Sequence, residues 1–551
     1  MKLSPAWSRL LFVVFLLALV VAGLSAGRPS QAAPQLLVNV KLSGPMPSGG
    51  AVTEQWFYVS DDGQYAVYNA DATVLGRYDT YSVRTDGQSE PVNLSHVTGN
   101  AHDWPSNRIT PDSTRVVISM SVDGVGPYEL YSVPITGGPL VKLNGPLVAG
   151  GNVGQYVISD DSAWVIYLAD QVVDEVYELF SVPVAGGTAV KLNVPLPAGG
   201  EVNMRFDTDG SSSRVVYQAG QPLGIGASDL YSVPIAGGAS VKLSGPLVAG
   251  GTVWGFSVNP NATRVVYSAE QDTDGVREIF SVPLTGGTPV RLNPPLAAGR
   301  GPAGSQITPD GTRVIYWSDQ ATDGVLELFS VPIGGGTSVK LNGPLVEGSD
   351  VGTALISDDS AWVVYEANQD EFGNFNLTSV PIAGGTAVKL NGQVLSPIVS
   401  FDISPDSARV VYHAAEDTPG LAELYSVPIA GGTVTTLNAP LASNSRSVES
   451  FAISPLSDVV IYAADHAADE QYELFSVPIG GGAVRRVSGP MVEDGSVVGA
   501  GMFSRVFRIT PDGGKVVYLA TQEDAERAEL FASFDGVPSN MLFLPAVAGS
   551  E

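Results

Sequence analysis

The chain has 551 residues, a formal net charge of −28 and no cysteine. Such a charge repels nucleic acid, and it argues against an anionic membrane face or an acidic polysaccharide as main partner, because each needs clustered Lys or Arg. The missing thiols exclude disulfides, thiolate metal sites and lipid attachment through a lipobox cysteine.

In chain order, Lys2 and Arg9 precede an apolar run from Leu10 to Leu24, and Ser30 and Ala32 stand as the small pair before a cut. This is the pattern of a secretory signal peptide over 1–32. Its apolar run is shorter than the roughly 20 residues a membrane-spanning helix needs. No later segment is long and apolar enough to span, so the sequence reads as exported, whether secreted, periplasmic or cell-surface, with no membrane span once the signal is removed. An exported chain without disulfides must be held by its core alone, and one repeat domain over 35–535 is long enough for that. Residues 536–551 read as a C-terminal tail.

From there the chain repeats itself. The string Ser-Val-Pro-Ile-Ala-Gly-Gly stands complete at Ser232–Gly238, Ser379–Gly385 and Ser426–Gly432. Its variants place prolines at Pro134, Pro183, Pro234, Pro283, Pro332, Pro381, Pro428 and Pro478, spaced by 49, 51, 49, 49, 49, 47 and 50 residues. Degenerate copies at Tyr81–Arg84 and Phe531–Phe534 bring the count to ten. A steady period of this length means stacked supersecondary units that share one continuous core.

One unit can be read strand by strand. Thr252–Val258 is β-branched and aromatic, and Asn259-Pro260-Asn261 reverses the chain. Arg264–Ala269 is a second strand, Glu270–Val276 a polar loop, Arg277–Val282 a third strand, and Gly286-Gly287 turns the chain into a short fourth, Val290–Leu292. Four antiparallel strands in about fifty residues make one propeller blade. The second strands, such as Arg409–Tyr412, are apolar without clean alternation, as expected of a sheet covered on both faces. The fold expected is all-β, a β-propeller of about ten four-stranded blades. Two smaller rings are the alternative, since typical propellers have about four to eight blades.

Closure follows from the ends. Val40–Pro45 is identical to Val241–Pro246, a fourth strand with its exit loop, whereas the last unit, from Phe503 to Phe534, lacks a fourth strand of its own. Pairing Leu36–Leu42 with that unit completes the last blade and removes both open sheet edges.

The turn between first and second strands recurs as Ser60–Gly63, Thr110–Ser113, Thr308–Gly311, Ser404–Ser407 and Thr510–Gly513. The pattern is Ser/Thr-Pro-Asp-Gly/Ser, then Val/Ile-Val/Ile-Tyr/Phe, a loop, and Glu-Leu-Tyr/Phe-Ser-Val. It resembles the TolB-type, WD-like β-propeller family over almost the whole mature chain. That resemblance implies the fold and is nearly silent on activity, because the family includes binding scaffolds and propellers attached to peptidases. Asn261 and Leu456 replace the turn aspartate and Thr378 the third-strand aromatic, which predicts looser turns or packing in those blades.

Residues for chemistry are few. There are four histidines, no His-Glu-x-x-His and no Gly-x-Ser-x-Gly. His96 and His102 with Asp103 have metal-ligand chemistry but sit in what reads as an ordinary loop. Asp272-Thr273-Asp274-Gly275 resembles the start of a calcium loop without its downstream glutamate, so Asp272 and Asp274 are either calcium candidates or turn formers. Asp160-Asp161 and Asp358-Asp359 are adjacent and point apart, a poor acid/base pair. Trp56, Trp104, Trp164, Trp254, Trp317 and Trp362 lie in or beside first and second strands, as packing or as sugar platforms. No catalytic or cofactor-binding residue stands out. The reading is a non-catalytic exported scaffold for a protein or cell-envelope ligand, and the alternative is an extracytoplasmic polysaccharide hydrolase or lyase using channel carboxylates. The long loops on the face opposite the tight turns, or the channel, are the expected working surface.

Overall fold

The β-branched strands and Gly-Gly turns build ten four-stranded antiparallel sheets, each from consecutive strands except the last. The computed structural model describes residues 37–96, 106–123, 126–221, 227–369, 375–392, 398–416, 418, 420–441, 447–468, 470–498 and 507–535. The signal-peptide and tail segments, His102, Asp103 and Trp104 lie outside them. One compact unit spans Asn39–Phe534. The other comprises the chain ends, Met1–Val38 and Asp535–Glu551, of which only Leu37, Val38 and Asp535, all in strands, are described.

The fifth blade shows the pattern, with strands Val253–Val258, Arg264–Ala269, Glu278–Pro283 and Val290–Arg291. The third strand starts one residue later than expected. The ladder ends at the Ala269–Glu278 pair, leaving Arg277 outside it. First strands of neighbouring blades touch, Val153–Ile158 against Glu201–Thr208 and that strand against Val253–Val258. They are therefore the innermost strands, where the blades converge on the axis. The two-residue fourth strands lie at the rim.

Hydrophobic clusters cross from blade to blade rather than staying within one. Val117 and Leu130 of the second blade pack with Tyr156, Tyr167 and Phe180 of the third. Second-strand tyrosines such as Tyr167, Tyr267 and Tyr412 are fully buried and stack on third-strand Phe or Tyr at 5.3–5.5 Å. Their hydroxyls also tie blades together, since Gly245 N–H reaches Tyr267 and Gly489 N–H reaches Tyr518.

The ring closes as expected, and it does so bond for bond. In ordinary blades Leu143 N–H donates to Leu130 C=O, the Asn144 side chain accepts from Leu130 N–H, and Lys142 pairs with Glu129. At the seam Leu42 N–H donates to Leu530 C=O at 2.7 Å, Ser43 Oγ accepts from Leu530 N–H at 3.2 Å, and Lys41 pairs with Glu529 at 2.6 Å. Asn39 adds bonds to Ser533 and Gln522. Phe57, Tyr68 and Tyr81 of the first blade share a core with Val517, Leu519 and Leu530 of the last.

The tight turns form a belt. Where the next blade's turn carries a serine, that serine holds the backbone N–H of the turn aspartate, as Ser162 does for Asp112, Ser360 for Asp310 and Ser457 for Asp406, at 2.8–2.9 Å. Those serines sit at φ of about 60°, the left-handed region. Gly63, Gly311 and Gly513 occupy the same turn position without strain and without the link. Ser360→Ala keeps the strained backbone and loses the link, an expected cost of about 1–2 kcal/mol. Ser360→Gly exchanges the link for relief of strain and should stay within about 0.5 kcal/mol of wild type, since the two terms are of similar size. Thermal melts of the two variants check the difference.

The looser turns expected in the fifth and ninth blades are replaced by other closures. Asn259 Oδ1 accepts from Thr263 and Arg264 N–H at 2.9 and 2.7 Å. In the ninth blade the carboxylate comes two residues late, as Asp458, which accepts from Ser454 Oγ. Thr378 is buried opposite Tyr365, where it bonds Gln369 in place of an aromatic stack.

Candidate functional site

Where every blade needs the same packing, the residues repeat; where they stop repeating, something besides that common packing selects them. Two rows near the axis break the pattern. The first-strand residue two before the tight turn is Tyr58, Arg108, Asp207, Gln306 or Arg508 depending on the blade, each opposite the same apolar second-strand position. On the second strand, the residue after the buried tyrosine is Gln218, Ser268, Trp317, Glu366 or His413.

At the loop-side mouth, a cleft of about 370 Å³ runs across the fourth, fifth and sixth blades. The first strand of the fifth blade carries a bulge between Val253 and Gly255, which takes Trp254 out of the ladder. The Arg277 guanidinium lies 4.5 Å from the centre of the Trp254 ring. Arg205 donates from Nη1 to the Trp254 carbonyl at 2.8 Å, and Trp254 Nε1 donates to Glu270 at 3.3 Å. Gly255 permits this approach, since a Cβ there would lie 2.6 Å from Arg205 Nη1. Ser257, Ser268, Ala303, Gly304 and Ser305 complete a small-residue wall. Among the described residues neither Arg205 nor Arg277 has an ion-pair partner, although carboxylates outnumber cations two to one in the chain.

At the turn-side mouth, Tyr58, Asp61, Arg108, Asp160 and Asp207 line a second cleft of about 400 Å³. Burial holds the Asp207 carboxyl above the usual range, against the Thr208 N–H bond, and the charge of Asp160 adds to the rise. Further round, burial pushes Glu366 up to about 7 and His413 down to about 4.

The sequence candidates separate on this frame. Asp272 is exposed and pairs with Arg291 at 2.9 Å. Asp274 sits in a turn closed by Val276 N–H to Thr273 C=O, with Gly275 at φ 71°. Among the described residues no cluster of three or more His, Asp or Glu could hold a metal. His96 is exposed at φ 49°, its N–H on Asn93. Asp161 and Asp359 shape their turns by accepting from Ala163 and Ala361 N–H. Trp164 and Trp362 pack onto the interblade core, as does Trp317, which bonds Gly352 C=O. Of the tryptophans with described side chains, Trp254 is the one that lines the loop-side cleft. Arg205, Arg277 and Asp207 carry no motif. Their signal is departure from the repeat, Arg277 standing where Tyr128, Tyr177 and Tyr472 stand elsewhere, and the bulges hide that register in the sequence.

No family model matches the chain, and no curated protein does. Solved structures do resemble it distantly. A eukaryotic initiation factor matches at 9% identity over 78% of this chain and 95% of its own, with a TM-score of 0.46. Porphyromonas gingivalis dipeptidyl peptidase 4 matches at 10% over 77% and 67%, TM-score 0.48. A TolB-assigned protein from Agrobacterium tumefaciens matches at 18% over 42% and 80%, TM-score 0.25. Likenesses this distant say nothing of activity. Among the described residues no helix is long and apolar enough to cross a membrane.

Proposed function

We propose that this is an exported, non-catalytic propeller of the TolB-type, WD-like kind that binds a protein or cell-envelope ligand at the loop-side mouth of its channel. The recurring Ser/Thr-Pro-Asp turn supports the family placement, and the signal-like leader supports export. One observation carries the binding role. Trp254, Arg205 and Arg277 break the repeat together, contribute little to packing and face one cleft.

A second reading, a polysaccharide hydrolase or lyase, draws on the Asp207–Asp160 cleft, because a carboxyl whose pKa burial raises, beside a second carboxylate, is acid/base material. Immobilised protein washed with cell-envelope and culture-medium extracts separates the two. The binding role expects retention of a ligand that Trp254→Ala loses, with polysaccharides left intact. Release of new sugar ends, abolished by Asp207→Asn, would establish the enzyme instead.

A further inference from the structure

We infer that the Trp254 cleft is a carboxylate site, so that the ligand presents a single carboxylate to Arg205 and Arg277. This rests on the reading of the loop-side mouth as the binding surface and adds the chemistry of what binds there.

A guanidinium has five N–H donors in a planar fork that matches a carboxylate through two parallel hydrogen bonds. Among the described residues Arg205 spends one donor, on the Trp254 carbonyl, and Arg277 makes no hydrogen bond within the chain. Both groups are nevertheless held in place, Arg277 by stacking on the indole and Arg205 by its bond to the bulged backbone. Among the described residues Arg115, Arg214, Arg264, Arg313 and Arg409 also lack an ion pair, but each spends its Nε on a third-strand serine hydroxyl of its own blade. Elsewhere Arg84, Arg291, Arg300 and Arg486 each find an acidic partner on the chain.

Positioning without neutralisation leaves the charge for an external anion. Glu270, bonded to the edge of Trp254, puts a negative charge at the rim, and the chain as a whole is strongly acidic. Both disfavour a dianion such as phosphate more than a singly charged carboxylate, which loses less to repulsion while keeping the bidentate bonds. The serine and glycine wall leaves room for a small polar body behind that carboxylate. A free organic acid and the carboxy terminus of a polypeptide both present such a carboxylate.

Titration calorimetry on the full chain tests this with four probes: benzoate, an N-acetylated tripeptide with a free carboxy terminus, the same tripeptide as its amide, and inorganic phosphate. The inference expects a carboxylate probe to bind and the amide and phosphate not to. Binding of benzoate with the tripeptide acid assigns free acids or termini alike, and binding of the tripeptide acid alone assigns polypeptide termini. Arg277→Lys keeps the charge but loses the fork and the stacking, and should weaken binding by about tenfold. Gly255→Ala places a methyl group against the flexible end of Arg205 and should weaken it several-fold with an unchanged melt. Equal binding of acid and amide, preference for phosphate, no binding of either carboxylate, or indifference to both variants overturns the inference. Trp254-dependent retention of an envelope ligand alongside any of those results would leave the binding role standing and remove only the carboxylate.

Discussion

Removing Leu37–Ser43 should leave a protein that aggregates or melts at a clearly lower temperature than wild type. The segment supplies the outermost strand of the tenth blade, and without it the Glu529–Asp535 strand becomes an open edge ready to pair with another chain. The energetic loss is large for its length. Leu42 is 2% exposed, and losing a buried leucine costs about 2–5 kcal/mol. The Glu529 side chain is 1% exposed and would lose Lys41, and stranding a buried charge costs about 3–5 kcal/mol. A synthetic Leu37–Ser43 peptide should restore part of the melting temperature by adding the strand in trans. An unchanged melt after deletion would show that the ring does not depend on this strand.

The second large effect concerns pH. His413 is buried, neither ring nitrogen makes a hydrogen bond of normal geometry, and burial lowers its pKa to about 4, opposed by the Ala422 backbone. The unfolded chain therefore takes up a proton near pH 6.5 that the folded chain refuses until about pH 4. Stability falls across that window as pH drops, by about 3 kcal/mol in all. Glu366, at the same register in the preceding blade, works in the opposite direction. Burial raises its carboxyl to about 7 despite the Thr353 backbone bond, so the folded chain holds a proton that the unfolded chain gives up above its ordinary value of 4.5. Stability from this group falls as pH rises from 4.5 through 7.

Between pH 4.5 and 6.5 the two slopes oppose each other. Wild type should be nearly flat there with respect to these groups. His413→Leu, which installs the residue found at this register as Leu168 and Leu519, should make the protein more stable as pH falls from 7 to 4.5. Glu366→Gln should make it less stable as pH falls from 6.5 to 4. Denaturant midpoints across pH 4–7.5 read both signs, and parallel profiles for the two variants would refute the assignment.

Most of the architecture was legible in the sequence because the packing is repeated. The prolines at Pro134 to Pro478 mark third-strand ends in blade after blade, and the identity of Val40–Pro45 with Val241–Pro246 located the missing strand. What was not legible follows from the same cause. Turn closure is decided by hydrogen-bond reach, not by one column of aspartates, so Asn259 closes its turn from the Ser/Thr position of the motif and Asp458 from two residues past the aspartate position. Arg277 reads in the sequence as the first residue of a strand, but the ladder stops at Glu278 and the guanidinium lies on an indole 23 residues earlier in the chain. Arg205, Trp254 and Arg277 come from three strands or strand ends in two blades, and nothing in their spacing announces that they meet.

The most direct test of the closed ring is a zero-length carbodiimide cross-link on the unmodified chain, read by peptide mass spectrometry. Lys142–Glu129, Lys191–Glu178 and Lys340–Glu327 pair fourth strand to third within ordinary blades and serve as internal standards. Closure predicts that Lys41 joins Glu523 or Glu529, its partners at 3.1 and 2.6 Å, in the monomer and alongside those standards. Standards that form while Lys41 stays unlinked, or links only between molecules, would contradict it.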